Sequence, residues 1–99
     1  MRAYEAVIIY KPELDGEALQ ASFKGAVDII KKYQGEVEDV AEWGRKALAY
    51  TIAKKKEGTF YLVKFKSSPE NVGKIEREFV LNEDILRSMI SARKVAKEA

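Results

Sequence analysis

The sequence predicts an α+β fold in which four strands and two helices follow one another in the order β-α-β-β-α-β. Side chains alternate between two faces over 3–10 and 59–66, as in strands, whereas apolar residues recur at helical spacing over 19–33 and 72–79. The segment 43–66 has the aromatic and β-branched composition of a β-hairpin. We expect one domain over 1–99, which ends in a short polar tail at 93–99.

The composition argues against several classes of protein. A hydrophobic content of 46% is too high for a disordered chain, and no uncharged apolar run approaches the ~20 residues of a membrane span. The first residues lack the plan of a signal peptide, because Glu5 interrupts the apolar region. The absence of cysteine and histidine removes disulfides, thiolate nucleophiles and the commonest metal ligand. A cytosolic compartment fits these features.

The first strand and helix are bounded by residues typical of such ends. On the strand, one face is formed by Tyr4, Ala6, Ile8 and Tyr10. Pro12 closes the strand because it lacks a backbone donor, and Asp15 is a good N-cap for the helix. The buried stripe of that helix is Leu19, Phe23, Ala26, Ile30 and Tyr33. Gly35 is expected to take the left-handed conformation that ends it.

The hairpin carries an unequal share of the positive charge. A second strand runs from about Glu36 into the segment at Trp43, where Gly44 indicates a bulge or bend. A lysine-rich tip over 53–58 follows, in which Gly58 is expected to supply the positive φ of the turn. From Arg45 to Lys66 there are seven cationic residues and one acid, although the whole chain carries only +2. The charge is therefore expected on one protruding element.

The last third of the chain predicts a helix and a strand. Ser68 and Pro69 have the types and order of a helix start, and the buried stripe is Val72, Ile75 and Phe79. Gly73 in mid-helix is a weak position, which costs ~1 kcal/mol against alanine. Residues 82–84 turn the chain, and the last strand runs from Ile85 to about Ala92. Ile90 and Ser88 then point inward, and the sequence offers no reason for an inward serine.

This order of elements is the split βαβ, or ferredoxin-like, plan. Right-handed crossovers place both helices on one face of a four-stranded antiparallel sheet. The other face stays open and presents Val7, Ile9, Phe60, Leu62, Arg87, Met89 and Arg93. A mixed apolar and cationic surface of this kind is one that another molecule covers.

No motif for catalysis is present. No pair of acids lies in a context that marks an acid/base couple, and the four acids over 36–42 lack the patterned glycine of a hard-cation loop. The phosphate-loop, dinucleotide and nucleophile-elbow motifs are all missing. We therefore expect no enzymatic activity, no metal, no cofactor and no small-molecule substrate.

The charge of the hairpin leaves two interpretations open. The cations from Arg45 to Lys56 could neutralise phosphates, or the lysines could merely keep a sheet edge soluble. An RNA-recognition motif shares this topology and carries aromatic residues on its third strand. Here Thr59 and Lys64 occupy two of those positions, and we reject that mode of base stacking.

Three blocks of the sequence resemble the bacterial small-subunit ribosomal protein six family. They are Met1-Arg2-Ala3-Tyr4-Glu5, then Trp43-Gly44-Arg45-Lys46-Ala47-Leu48-Ala49-Tyr50 followed by Ile52 and Lys54, and finally residues 79–89. The blocks have the family's order and spacing, and the resemblance covers essentially the whole chain. Thr51 departs from it, because the family usually has proline there. Lys46 replaces an arginine and loses the planar fork that binds phosphate with two hydrogen bonds.

The resemblance implies a ferredoxin-like fold without catalysis, located in the ribosome of the cytoplasm or of an organelle of bacterial origin. It implies binding to small-subunit ribosomal RNA, in the central domain, together with small-subunit ribosomal protein eighteen. With the charge of the hairpin, it gives as candidates for RNA or partner contact Arg2, Arg45, Lys46, Lys54, Lys55, Lys56, Arg87 and Arg93. With the open face, it gives as packing anchors at the partner surface Trp43, Tyr50, Phe60, Leu62 and Met89.

Two other functions fit the fold. A ferredoxin-like regulatory or ligand-binding module would form a homodimer through its open sheet. A small enzyme of the dimeric ferredoxin-like barrel type would need a closed polar pocket, and the missing histidine weighs against it.

Overall fold

The computed structural model describes residues 1–52 and 54–93, except for the side chain of residue 49. Its elements are β1 (Arg2–Tyr10), α1 (Gly16–Lys32), β2 (Glu36–Ile52), β3 (Lys55–Ser67), α2 (Pro69–Leu81) and β4 (Ile85–Ala92). The strands form one antiparallel sheet in the order β2-β3-β1-β4. The predicted ferredoxin-like order is confirmed. Of the predicted tail, residues 94–99 lie outside the described residues.

The core lies between the two helices and one face of the sheet. The predicted inward residues of β1 and β3 are buried, namely Tyr4, Ala6, Ile8, Tyr10, Tyr61, Val63 and Phe65. They pack against Leu19, Ala26 and Ile30 of α1 and against Ile75 and Phe79 of α2. Phe23 of α1 stacks on Tyr61, with ring centroids 4.1 Å apart. Burial of apolar area at ~25 cal/mol/Å² is the main favourable contribution to this fold.

The end of α1 differs from the prediction. Gln34, rather than Gly35, has the left-handed conformation, with φ of 67°. Gly35 is required for another reason, because a Cβ there would lie 2.6 Å from Ile30 Cγ2 and 2.9 Å from the Ile30 carbonyl oxygen. The Gly35 N–H donates to that same carbonyl at 2.8 Å. The backbone thus passes directly against the last turn of the helix.

The turn of the hairpin also differs from the prediction. β3 begins at Lys55, so most of the expected tip is strand, and Gly58 lies inside it opposite Lys46. The residue with positive φ at the tip is Lys54, at 65°. Gly58 is needed for close packing, since a Cβ there would lie 2.6 Å from Ile9 Cγ2.

β2 is irregular at three places, and each time the extra residues are on β2. Glu38 and Trp43 are single extra residues against β3, and residues 48–51 lie opposite a single β3 residue. Gly44, with φ of 84°, follows Trp43 and confirms the predicted bulge. Since bulges bend a strand and redirect its side chains, these irregularities shape the outer surface of the sheet.

Three inward hydroxyl groups have no well-formed hydrogen bond within the described part of the chain, namely those of Tyr10, Ser22 and Ser88. The inward serine at 88 therefore remains unexplained. Burial raises the pKa of Tyr10 to about 12, while the neighbouring Ser22 hydroxyl acts in the opposite direction.

Candidate nucleic-acid and partner interface

Strand register divides the open face of the sheet into rows. The row nearest the hairpin tip contains Phe60, Ile9 and Arg87, which lie side by side on β3, β1 and β4. The next row is apolar and contains Ala41, Leu62, Val7 and Met89. Together these rows form a mainly apolar strip across all four strands. We call it the apolar strip.

The rows farther from the tip are charged. Lys64 lies between Asp39 and Glu5, its neighbours on β2 and β1. In the last row Glu38 lies 3.5 Å from Lys66 Nζ and also accepts a hydrogen bond from the Arg93 guanidinium. The open face therefore changes from apolar at the tip end to ionic at the opposite end.

Residues 48–51, which we call the arch, leave the β2–β3 ladder and reach over the tip end of the open face. The Arg87 guanidinium donates to the Tyr50 hydroxyl and ties the arch to β4. Ile9 is only 4% exposed although it faces away from the helices. A cleft of about 190 Å³ lies here, lined by Ile9, Ala47, Leu48, Tyr50, Ile52, Phe60, Arg87 and Met89.

The structure brings six of the eight cationic candidates to the tip end and separates the other two. The six are Arg45, Lys46, Lys54, Lys55, Lys56 and Arg87. Arg2 pairs with Ser67 at the other end of β1, and the Arg93 N–H donates to the Ala3 carbonyl there. At ~3.3 Å per residue, Arg2 and Ile9 are about 23 Å apart along β1. The eight candidates do not form one continuous patch.

Two of the tip-end cations attach the hairpin to the body of the domain. Arg45 Nη2 donates to the Pro12 carbonyl oxygen at 2.7 Å, and the Lys55 ammonium bonds to the Glu13 carboxylate. The Lys55 hydrogen bond lowers the pKa of Glu13. Both contacts reach the loop between β1 and α1, so the hairpin lies against the domain instead of protruding freely as predicted.

The remaining candidates divide by whether they have partners. Arg93 is held by Glu38 and by the Tyr4 carbonyl, 3.2 Å from its Nε. By contrast, four exposed candidates form neither an ion pair nor a side-chain hydrogen bond within residues 1–52 and 54–93, namely Arg2, Lys46, Lys54 and Lys56. Lys46 Nζ lies 5.5 Å from the centre of the Trp43 ring, within cation–π range.

The predicted packing anchors lie around the same strip. Phe60 and Leu62 form its floor and are half-buried, while Met89 on β4 is 42% exposed. Trp43 is 45% exposed at its bulge, and Tyr50 is 60% exposed on the arch. All five therefore remain accessible to a partner to some degree.

A larger cleft of about 500 Å³ lies on the helical side and is lined by Tyr33, Lys74, Arg77, Glu78, Leu81 and Asn82. None of the predicted site residues lines it. Glu78 is engaged by Lys32 at 3.0 Å and by the Tyr33 hydroxyl, so the cleft presents an occupied ionic network.

The described residues contain no group of three acidic, histidine or cysteine side chains that could hold a metal, and no described helix is long and apolar enough to cross a membrane.

Comparison with known proteins identifies the family. The model of the family described as Ribosomal protein S6 matches residues 3–92, nearly the whole chain. This chain belongs to the ribosomal protein S6 family. It is a ribosomal protein of the small subunit and not an enzyme, and its location is the ribosome in the cytoplasm. The prediction of no enzymatic activity is confirmed, and the rival interpretation as a small enzyme of the dimeric ferredoxin-like barrel type is excluded.

Relatives within the S6 family are similar over nearly their full length. The small ribosomal subunit protein bS6 of Clostridium novyi is 42% identical over 90 residues, which are 91% of this chain and 95% of the relative. The corresponding protein of Mycolicibacterium paratuberculosis is 38% identical over 90 residues, with 91% and 94% covered.

One solved structure agrees with the S6 assignment, and a second shares the fold. The crystal structure of 30S ribosomal protein S6 from Thermotoga maritima has a TM-score of 0.88 and 25% identity, and it covers 93% of this chain and 87% of that chain. The C-terminal domain of the MgtC protein from Mycobacterium tuberculosis has a TM-score of 0.62 at 11% identity, with 100% and 95% covered. The second likeness concerns the fold alone.

Two acids important to this S6 surface were missed by sequence reasoning. Glu13 and Glu38 hold Lys55 and Arg93, which are 42 and 55 residues away in the chain. Nothing in the sequence pairs residues at such separations. The bulge at Glu38 would have been a useful signal, but the sequence does not show it. Gly44 marks the bulge at Trp43, and no glycine lies beside Glu38.

Proposed function

We propose that this chain binds small-subunit ribosomal RNA, in its central domain, together with small-subunit ribosomal protein eighteen. The observation that carries the proposal is the position of unpaired cations beside the apolar strip. Lys54 and Lys56 belong to the hairpin tip, and Lys46 lies beside it, opposite Gly58. The strip begins one row away at Phe60. A surface of this kind suits a joint contact with phosphates and with a protein.

The RNA part of the proposal rests on the cations that lack an acidic partner. A lysine that forms no ion pair in the free chain can approach a phosphate without first breaking one. Neutralising phosphates releases condensed counterions, which drives binding at low salt. Such contacts position the protein without reading base sequence, which is what a structural component of a ribonucleoprotein needs.

The protein part rests on the apolar strip and its border. Protein interfaces are enriched in aromatic residues, methionine and arginine at their centres, and the strip offers Phe60, Met89 and Arg87. Its neighbouring row alternates Asp39, Lys64 and Glu5, which can fix the orientation of a partner by complementary charge. Small-subunit ribosomal protein eighteen is the partner that we assign to this surface.

The test is the salt dependence of binding to a central-domain RNA fragment, measured with and without the partner protein. Lys54→Asn removes one charge, and asparagine tolerates the left-handed backbone found there. The slope of log K against log salt should fall by about 1 if Lys54 contacts a phosphate. Lys24→Gln removes a charge from the exposed surface of α1, in the helical layer, and serves as the control. An unchanged slope for Lys54→Asn would exclude this contact.

A homodimer that pairs two open faces is the alternative, and the exposed part of the apolar strip favours it. Sedimentation of the purified chain separates the two ideas. A monomer that gains RNA affinity when the partner protein is added supports the proposal. A tight homodimer without RNA affinity would replace it.

A further inference from the structure

The arch is a separate structural unit of the hairpin. Four β2 residues lie opposite one β3 residue, so the ladder is interrupted between Ala47 and Ile52. The regular pairs on either side are Ala47 with Glu57 and Ile52 with Lys55. Backbone pairing therefore does not fix the path of the arch. Its position over the sheet depends on side-chain contacts with the open face.

One of these contacts reaches the strand at the far edge of the sheet. Tyr50 extends from the β2 side of the sheet, and its hydroxyl accepts a hydrogen bond from Arg87 on β4. The Tyr50 side chain is 60% exposed, so the bond is open to competition from water. A hydrogen bond with the typical net contribution would favour the closed position of the arch over an open one by roughly five-fold.

The same contact occupies two surfaces that the proposed function requires. Arg87 binds a phosphate best through two parallel N–H donors, and one of its nitrogens is engaged by Tyr50. The arch also lies beside Phe60 and Met89, which belong to the apolar strip. A closed arch therefore competes with RNA for Arg87 and limits access to that end of the strip.

We propose that the Tyr50–Arg87 hydrogen bond is an autoinhibitory clasp, which holds the arch closed in the free chain and is exchanged when an RNA phosphate takes Arg87. This inference rests on the proposed function. The apparent affinity of the free chain is then lowered by the fraction of molecules that are closed. Release of the clasp during binding would also uncover the tip end of the apolar strip.

The first experiment uses the free chain and no RNA. Tyr50→Phe keeps the ring and removes the hydroxyl, and we expect amide hydrogen exchange in the ladder pairs that flank the arch, Ala47 with Glu57 and Ile52 with Lys55, to become several-fold faster. Tyr33→Phe is the matched control, because it removes a hydroxyl that bonds to Glu78 on the helical side. Equal exchange in these flanking pairs in the wild type and in Tyr50→Phe would overturn the clasp.

The second experiment measures affinity for the central-domain RNA fragment at fixed salt. Tyr50→Phe should bind two- to five-fold more tightly than the wild type, and Tyr33→Phe should bind as the wild type does. In an Arg87→Ala background, Tyr50→Phe should have no effect on affinity. Unchanged or weaker binding by Tyr50→Phe would overturn autoinhibition. If the wild type binds no RNA, the proposed function fails, while the exchange experiment still decides whether the clasp exists.

Discussion

The Arg93 guanidinium donates to Glu38, which lies on the strand at the opposite edge of the sheet. Arg93 follows β4, and Glu38 is the extra residue at the first bulge of β2. Lys66 on β3 lies 3.5 Å from the same carboxylate. Chain segments that are far apart in sequence are thereby joined across the open face. This engagement makes Arg93 a structural residue in the free chain, whatever its role toward a partner.

Acid should weaken the fold through this carboxylate. Partial desolvation raises the pKa of Glu38, but the hydrogen bonds and charges of Arg93 and Lys66 outweigh it and leave the pKa below its ordinary value of 4.5. A carboxyl with a lowered folded pKa stabilises the protein above its unfolded pKa, and this contribution disappears as the pH falls through the folded pKa. Glu38→Gln should therefore lower the urea midpoint at pH 7, and the difference from the wild type should shrink below pH 4.5.

The control for that titration is Glu76→Gln, since Glu76 is exposed on α2 and forms no ion pair with any residue that the structure describes. It should leave the urea midpoint close to that of the wild type. A constant difference between Glu38→Gln and the wild type from pH 7 to pH 3 would contradict the assigned ion pairs.

Alkali should act through Tyr10. Burial raises its pKa from 10.0 to about 12, so the unfolded chain loses the phenolic proton before the folded one does. The stabilising contribution is complete below the unfolded pKa and is lost as the pH rises from 10 to 12. Tyr10→Phe should reduce this alkaline loss of stability by up to about 2 kcal/mol. At pH 7 the substitution should be nearly neutral, because the hydroxyl has no well-formed hydrogen bond. Chemical denaturation of the wild type and Tyr10→Phe at pH 7 and between pH 10 and 12 tests this. An equal loss of unfolding free energy in both proteins between pH 10 and 12 would contradict the prediction.

Two glycines should respond oppositely to the same change. Gly58→Ala would place a Cβ 2.6 Å from Ile9 Cγ2 and 3.0 Å from the Tyr10 carbonyl oxygen. We expect a loss of ~1–3 kcal/mol from this overpacking. Gly73→Ala in α2 meets nothing within 4 Å and should gain up to ~1 kcal/mol through helix propensity. Urea unfolding of the two variants tests the pair, and a tolerated Gly58→Ala would argue against the close approach of β1 to the hairpin.

Association with the proposed partner protein should depend on the apolar strip. Met89→Glu introduces a charge into the strip and should weaken binding of small-subunit ribosomal protein eighteen at least ten-fold, because a charge at an interface centre must be desolvated. Val80→Glu is the matched control, since Val80 is 71% exposed on α2 in the helical layer. Titration calorimetry compares the two, with thermal unfolding as a check that both fold. Equal affinities would place the partner elsewhere on the molecule.

The sequence predicted the helical and sheet layers of this protein well, because they are specified by the two-residue period of strands and the 3.6-residue period of helices. The inward faces of β1 and β3 and the stripes of both helices follow directly from spacing, as the burial of Ile8, Val63 and Phe79 illustrates. The family followed from short blocks, of which the one beginning at Trp43 was the most specific. These features depend on residues that are close together in the chain.

The missed details depend on packing between distant segments. Gly35 was assigned to the left-handed end of a helix and Gly58 to the hairpin turn, yet at both positions another part of the backbone or a side chain comes close. Likewise the acids over 36–42 were considered only as a cation loop and rejected, whereas Glu38 pairs with both Lys66 and Arg93. The existence of the arch follows from a count of residues against the opposite strand, and that register cannot be obtained from one strand alone.

The irregular pairing of β2 also affects the chain before it is assembled. β2 is an outer strand, and a regular outer strand offers a continuous row of free N–H and C=O groups on which further chains can polymerise. The extra residues at Glu38 and Trp43 interrupt that row, and the nearby acids repel an identical neighbour. A newly synthesised molecule is thereby protected from amyloid-like stacking during the interval in which it waits for its place in the ribosome.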